Sequence, residues 1–247
     1  MERIEVPDVP GMIRAYHGGW GQGTFLARLS HDDRVALVEA GVVVEFGRGE
    51  VLVAEGDEGT DVFLLLSSTV KVTARTDSDR SMLLAVRTGG DVIGELAMLE
   101  GVRRTATVWV RGREPVRAVR IEGPRFLDAL RALPDAHVRL TTAVARKLRA
   151  ATRRRAGIAG WATEVRLAQV ITDMADDYGV RGKPGGDGAI IGVDLTQDEW
   201  GALIGVSEST AYRALSRLKE RRLVSVGYRR IEVPDVEKLR AYGSRQP

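Results

Sequence analysis

Three side chains in one short stretch have the chemistry to hold an anionic sugar derivative: Glu95, Arg104 and Thr105. They lie in Asp91-Val92-Ile93-Gly94-Glu95-Leu96-Ala97-Met98-Leu99-Glu100-Gly101-Val102-Arg103-Arg104-Thr105-Ala106-Thr107-Val108. A carboxylate at Glu95 accepts from a sugar hydroxyl, while Arg104 and Thr105 hold a phosphate by charge and hydroxyl. The ends of the stretch are strand-like, and Glu95 to Leu99, through Leu96 and Ala97, reads as one helical turn. The first N–H groups of such a turn have no partner inside it and are free to face an anion. Gly94 and Ala106 are small where a ligand approaches the backbone. An acid, a base and bare amides together suit a molecule with both a ribose and a phosphate. The plainer alternative is a partly buried Glu95–Arg104 ion pair beside a loop.

A second constellation lies near the C-terminus. Leu195-Thr196-Gln197-Asp198-Glu199-Trp200 carries a capping box, Thr196 with Glu199, and a hydrophobic staple, Leu195 with Trp200. The helix it opens ends at Ile204, Gly205 permits a sharp turn, and Ser207 caps a second helix running to about Arg221. Helix, Gly205-Val206-Ser207, helix is the spacing of a helix-turn-helix, with Gly201 small where the two helices cross. On the second helix Ala211, Ala214, Leu215 and Leu218 form an inward stripe. Glu208, Ser209, Tyr212, Arg213, Ser216 and Arg217 face outward, and Thr210 lies within the same first turns. Such a face suits a major groove: Arg213 pairs bidentately with guanine, Glu208 accepts from cytosine N4, and Ser209 is permissive. Leu223 to Val226, a turn at Gly227-Tyr228, and Arg229 to Val233 form a hairpin, with Arg229 and Arg230 placed for phosphate.

The elements that must position these groups follow from patterning. Residues 1–23, rich in Gly and Pro, read as a flexible extension, with no stated docking place for Trp20. Ser30 caps a helix to Ala40. From Val42 to about Glu122, short β-rich runs alternate with turns at roughly 8–12-residue spacing, which predicts a sandwich or barrel. A short helix, Pro124 to Leu133, precedes one long helix from Pro134 to about Ala156. On it Val138, Thr141, Val144, Leu148 and Ala151 recur at intervals of three and four, a seam that suits a second copy of the chain. Gly157-Ile158-Ala159-Gly160 is the expected hinge. A helix capped by Thr163 then runs to Tyr178, with Leu167, Ile171, Met174, Ala175 and Tyr178 on one face. The glycines between Gly182 and Gly188 lack the order and the Lys-Ser/Thr ending of a phosphate loop.

Composition narrows the classes. The 247 residues include 44% hydrophobic and 29% charged residues, ordinary for a chain with real cores. No apolar run approaches the ~18–20 residues of a membrane span, and Met1 to Pro7 lack a signal-peptide core. With 0 cysteines, disulfides, thiolate nucleophiles and cysteine-held clusters are excluded. The expected location is cytoplasmic. From Pro134 onward there are 20 Lys+Arg and 14 Asp+Glu, or +6. The preceding part holds 37 − 20 = 17 against 34 − 14 = 20, or −3. A basic C-terminal part fits a polyanionic partner. Only 5 of the basic residues are lysine, an Arg bias that reflects coding composition as readily as recognition. No catalytic constellation appears, so an enzyme is not expected.

Gly94-Glu95-Leu96-Ala97 followed by Arg104-Thr105-Ala106 resembles the phosphate-binding cassette of cyclic-nucleotide-binding domains in the CRP/FNR (catabolite activator) family. Gly205-Val206-Ser207-Glu208-Ser209-Thr210-Ala211-Tyr212-Arg213 resembles that family's recognition-helix signature. The resemblance spans Phe25 to Val233. It implies an α+β chain: a cyclic-nucleotide-binding-like β-roll (a double-stranded β-helix or jelly roll) at 24–133, a dimerisation helix and hinge at 134–160, and a winged helix-turn-helix at 161–247. It also implies a cyclic nucleotide effector, cyclic AMP first, with double-stranded DNA, a second copy and RNA polymerase as partners. In members that respond to cyclic AMP, a Thr-Ser pair on the long helix meets the adenine; the matching positions are Ala151 and Thr152. Ser68 stands where a turn glycine is usual, and Glu208 where readers of one common half-site carry arginine. An iron–sulfur sensor is excluded, and His17, His31 and His137 form no evident haem pocket. The alternatives are a ligand-independent regulator with a vestigial pocket and, from another class, a cyclic-nucleotide-controlled enzyme subunit.

Overall fold

A computed structural model of the chain describes residues 2–4, 8–17, 19–75, 81–111, 114–158, 160–181, 187–193, 195–228 and 230–244. The expected loop at 182–188 and the hinge residue Ala159 lie largely or wholly outside the described residues. The chain divides into two compact units, one within 1–20 and 24–145, the other within 21–23 and 146–247.

The first unit is a β-roll with helices packed on one side. Strands β1 (Glu2–Ile4), β2 (Val42–Phe46), β3 (Val51–Val53), β4 (Val62–Leu65), β5 (Thr69–Arg75), β6 (Ser81–Thr88), β7 (Val92–Ile93), β8 (Thr107–Val110) and β9 (Val116–Ile121) form two sheets. Their orders are β1-β2-β9-β4-β7 and β3-β8-β5-β6, with antiparallel pairing. The first sheet is buried on both faces, which is why Val62 to Leu66 is an unbroken apolar run. Phe63 and Leu65 point into the roll with Val44, Phe46 and Ile93. Val62 and Leu64 point outward, against α1 (Val9–His17), α2 (His31–Glu39), α4 (Gly123–Ala132) and the start of α5 (Pro134–Ile158). Between β7 and β8 sits the short helix α3 (Glu95–Glu100).

Helix α1 and strand β1 replace much of the extension expected at 1–23. Asp8 Oδ1 accepts from Gly11 N at 2.8 Å, so Asp8 caps α1, and Pro10 falls in the first turn, where proline is tolerated. Ile13 is buried in the outer core, and Trp20 donates Nε1–H to Leu66 O at 2.8 Å. The apolar content of residues 9–20 therefore has a docking place.

In the second unit, α6 (Thr163–Tyr178) is the central helix, with α7 (Gln197–Ile204), α8 (Glu208–Glu220) and α9 (Val236–Gly243) around it. Strands β10 (Val180–Arg181), β11 (Ala189–Ile191), β12 (Ser225–Gly227) and β13 (Arg230–Val233) form a sheet in the order β10-β11-β13-β12. Gly21 and Gly23 are buried in this unit, where an added Cβ would stand 2.4 Å from the backbone of Tyr178 or Asp177. Helix α5 runs through Gly157 to Ile158 rather than breaking at that glycine. Gly157 is buried under Trp161, whose ring would meet an added Cβ at 3.1 Å. Helix α6 begins at Thr163, but Ala162 is its N-cap, and the Thr163 hydroxyl lies 3.5 Å from Arg166 Nη2 instead of capping.

Candidate effector cassette and nucleic-acid interface

The cassette is held by one arginine. Gly94 enters α3 at φ +84, and a Cβ there would come within 2.7 Å of Asp61 O and of Arg104 Nη1, so only glycine fits. Arg104 is buried at 6% exposure; its Nη1 donates to Gly94 O at 3.0 Å and its Nη2 to Asp61 O at 2.7 Å. Its backbone joins the same turn: Arg104 N donates to Asp57 O at 3.0 Å, and Gly56 N donates to Arg104 O at 2.8 Å. Burial pushes the guanidinium pKa down, while the charges of Asp61, Glu95 and Asp57 pull it back up. It stays protonated in any case.

Glu95 is buried on the first turn of α3, close enough to Arg104 to act on it electrostatically. Ala97 is buried, Gly94 and Ala106 are half-buried, and Leu96 and Thr105 are exposed. Gly94, Glu95 and Arg104 therefore form one cluster, with the exposed Thr105 hydroxyl next to it in the chain. The fourth expected element, Thr152, is exposed on α5 and falls in the second unit. Asp57 and Asp61, which fasten Arg104, were not singled out in the sequence. The acidic density of Glu55-Gly56-Asp57-Glu58-Gly59-Thr60-Asp61 was the available signal.

The helix-turn-helix is built as its caps require. Thr196 N donates to Glu199 Oε2 at 2.8 Å and Glu199 N to Thr196 Oγ1 at 3.3 Å, closing the capping box. Gly205 takes φ +68, and Gly201 lies so close to Val206 O that a Cβ would stand at 2.6 Å. Ala211, Ala214, Leu215 and Leu218 are buried. Gln197, Glu208, Ser209, Tyr212 and Arg213 line one open concavity on the other side. Ser207 is the N-cap of α8 by position, but its hydroxyl lies 3.0 Å from Thr210 Oγ1 and 3.3 Å from Ser209 Oγ instead of bonding the backbone. Thr210 in turn accepts from Arg213 Nη2 at 3.3 Å, which orients that guanidinium.

Two of the arginines expected to face DNA, Arg217 and Arg230, are already paired. Arg217, placed on the outward face, donates to the Glu164 carboxylate of α6. It sits at the edge of the face, where α6 comes within reach. Arg230 makes an ion pair with Glu232 at 2.8 Å. Arg229 lies outside the described residues. At the same turn Tyr228 is 80% exposed. Along α5, Val138 and Leu148 are 61% and 68% exposed, Thr141 and Ala151 are exposed, and Val144 is half-buried.

Two family profiles match this chain: "Cyclic nucleotide-binding domain" over residues 43–132 and "Crp-like helix-turn-helix domain" over residues 165–242. The chain belongs to the CRP/FNR family of DNA-binding transcription regulators. It is 26% identical over 175 residues to the cAMP-activated global transcriptional regulator CRP of Salmonella typhimurium, covering 70% of this chain and 80% of that one. It is 27% identical over 198 residues to the CRP-like cAMP-activated global transcriptional regulator of Mycobacterium tuberculosis, covering 79% and 85%. The fold is similar to FixK2 from Bradyrhizobium japonicum, with TM-score 0.67 at 18% identity, covering 84% of this chain and 99% of that one. No described helix is long and apolar enough to cross a membrane.

Proposed function

We propose that the chain is a homodimeric transcription regulator that takes a cyclic nucleotide, cyclic AMP first, and reads a two-fold-related DNA site. In this reading residues 24–133 are the effector module, 134–160 the dimerisation helix and hinge, and 161–247 the reading head. The carrying observation is the buried cluster of Glu95 and Arg104 around Gly94, with exposed Thr105 beside it. Glu95 takes a ribose hydroxyl, and Arg104 and Thr105 take the cyclic phosphate. A buried carboxylate and a buried guanidinium side by side are a poor way to gain stability, since desolvation offsets much of their attraction. A ligand with complementary groups is a better reason for them. The two relatives above, each named as cAMP-activated, support cyclic AMP over other nucleotides.

The exposed stripe from Val138 to Ala151 supports a two-fold pairing of α5, which would set two reading heads about one helical turn of DNA apart. In each head Arg213 reads guanine, Glu208 and Ser209 meet neighbouring edges, and Arg229 with Arg230 meets phosphates. RNA polymerase is the partner such a role requires.

A second reading rests on the same arginine. Arg104 already donates to two carbonyls, Gly94 O and Asp61 O, and so has a structural task without any ligand. Calorimetric titration with cyclic AMP, cyclic GMP and a cyclic dinucleotide, beside selection of duplexes from a random pool, separates the two. Cyclic AMP binding that sharpens DNA selection supports the first reading. Selection of DNA with no nucleotide bound at millimolar concentration favours a ligand-independent regulator.

A further inference from the structure

We propose that Glu164, on the first turn of α6, is a positioning residue for the recognition helix and acts through Arg217. The inference rests on the DNA-binding reading of α8 and adds to it a residue that touches no DNA.

Helix α8 is seated by one narrow seam, Ala211, Ala214, Leu215 and Leu218. Two of these four are alanines, whose short side chains give little purchase against rotation about the helix axis. Such a roll swings Arg213 and Glu208 across the groove, and sub-ångström placement is what base reading requires. A contact at the edge of the seam resists such a roll with the longest lever arm. Arg217 stands there, one turn beyond Arg213 on the same edge. Its Nη1 donates to Glu164 Oε1 across 53 residues of chain. The Glu164 side chain is only 14% exposed, against 62% for Arg217, so the carboxylate is the fixed end of the pair. Burial opposes the charge on Glu164, but the hydrogen bond and charge of Arg217, with the charge of Arg221, outweigh it.

The same turn of α6 grips the other helix as well. Arg166 Nη1 donates to Ile204 O at 2.7 Å, the last residue of α7, satisfying a carbonyl that the helix end leaves without a partner. Two side chains of α6, two residues apart, thus hold the end of α7 and the flank of α8. These grips from outside the motif reinforce the crossing that Gly201 and Gly205 allow within it.

The test is a double-mutant cycle in the full chain: Glu164→Gln, Arg217→Gln and both together. DNA affinity is read by fluorescence anisotropy on a duplex recovered by selection with the wild type, over a salt series, with thermal melts alongside. Arg217→Gln and Glu164→Gln each also change the long-range attraction to DNA, in opposite directions, and the cycle cancels those separate contributions. A pair of this exposure couples by about two- to five-fold in affinity. The expected result is that Arg217→Gln weakens binding by that factor more in the wild type than in the Glu164→Gln background. The salt slope should change by much less than the roughly 0.9 that a lost phosphate contact removes. Independent, multiplying effects overturn the inference. So does a coupling of opposite sign with a shallower salt slope in Arg217→Gln, which would make Arg217 a phosphate contact that Glu164 competes for. A loss of affinity matched by a general loss of melting temperature also overturns it. Arg213→Ala separates the two levels: if it abolishes selectivity while the cycle shows no coupling, only the positioning role fails. A wild type that selects no duplex removes the DNA-binding reading and the positioning role together.

Discussion

Replacing Arg104 by alanine should injure the fold and the effector response by separable amounts. The side chain makes two charge-assisted hydrogen bonds, to Gly94 O at 3.0 Å and Asp61 O at 2.7 Å, and is 6% exposed. Bonds of a charged donor contribute about 1.5–3 kcal/mol each. Water entering the space left by the side chain would recover part of that, so the lower end, about 3 kcal/mol, is the expected loss. For a unit of this size about 4 °C of melting temperature accompanies each kcal/mol, giving a fall of about 12 °C. Arg104→Lys keeps the charge but loses the planar fork that bridges the two carbonyls, and should fall between. The effector role is read separately, as the rise in melting temperature with added cyclic AMP. A saturating ligand at about 100 times its Kd adds about 2.7 kcal/mol. That rise should be present in the wild type and absent in Arg104→Ala. Differential scanning fluorimetry with and without nucleotide measures both. An Arg104→Ala protein melting within about 3 °C of the wild type would refute the structural part. A variant that melts low but keeps its nucleotide-induced rise would refute the phosphate role.

Three further outcomes are expected. Leu148→Glu sets like charges across the proposed two-fold axis at a position 68% exposed in the single chain, so the dimer should dissociate in sedimentation while each chain's melt is little changed. Ser68 is held at φ +61, a conformation costing a non-glycine residue about 1 kcal/mol, so Ser68→Gly should stabilise by roughly 0.5–1 kcal/mol in urea titration, less the added freedom of the unfolded chain. Asp173 has its pKa raised, because burial outweighs the attraction of Arg153 and Arg154. A raised carboxylate pKa contributes stability that is full below the ordinary aspartate range and lost as pH rises through the raised value. Asp173→Asn should therefore flatten the pH dependence in the acidic window just above that range and cost little at neutral pH. A loss that grows toward neutral pH would contradict it.

What could be read from residue types was what local chemistry dictates. Short β-rich runs between turns placed the strands of the roll, and Ser30, Thr196 and Glu199 marked helix starts through bonds that the structure contains. Gly201 and Gly205 announced the crossing and the turn of the reading head because no other residue fits 2.6 Å from a carbonyl or takes φ +68 without strain. Helix α1 was hidden by its own composition. Pro10 and Gly11 read as loop, although Asp8 caps them and a first-turn proline is no obstacle. Helix α9 was missed in the same way: Asp235 caps it by accepting from Lys238 N at 2.8 Å, and Leu239 is fully buried.

The contacts that decide the roles of the site residues were less legible, and for one reason. Arg104 is fixed by carbonyl oxygens, and every residue has a carbonyl, so the acidic density around Asp57 and Asp61 hints at a cation nearby but does not name the bonds. Arg217 obeys the outward pattern of α8, yet outward on a helix wheel only means away from that helix's own seam. The pattern cannot say whether solvent, nucleic acid or a third helix lies there, and here the start of α6 supplies Glu164. Residues at the margin of a stripe are thus where a pattern loses its force, because a rotation of about 40° separates a position facing a neighbour from one facing open space. Arg213 and Arg217 differ by that angle on α8 and receive different partners, Thr210 on the helix itself and Glu164 across the unit. Among the described residues, the first lines the concavity and bonds no acid, which suits a guanine edge. The other is neutralised in place, which suits holding the first one still.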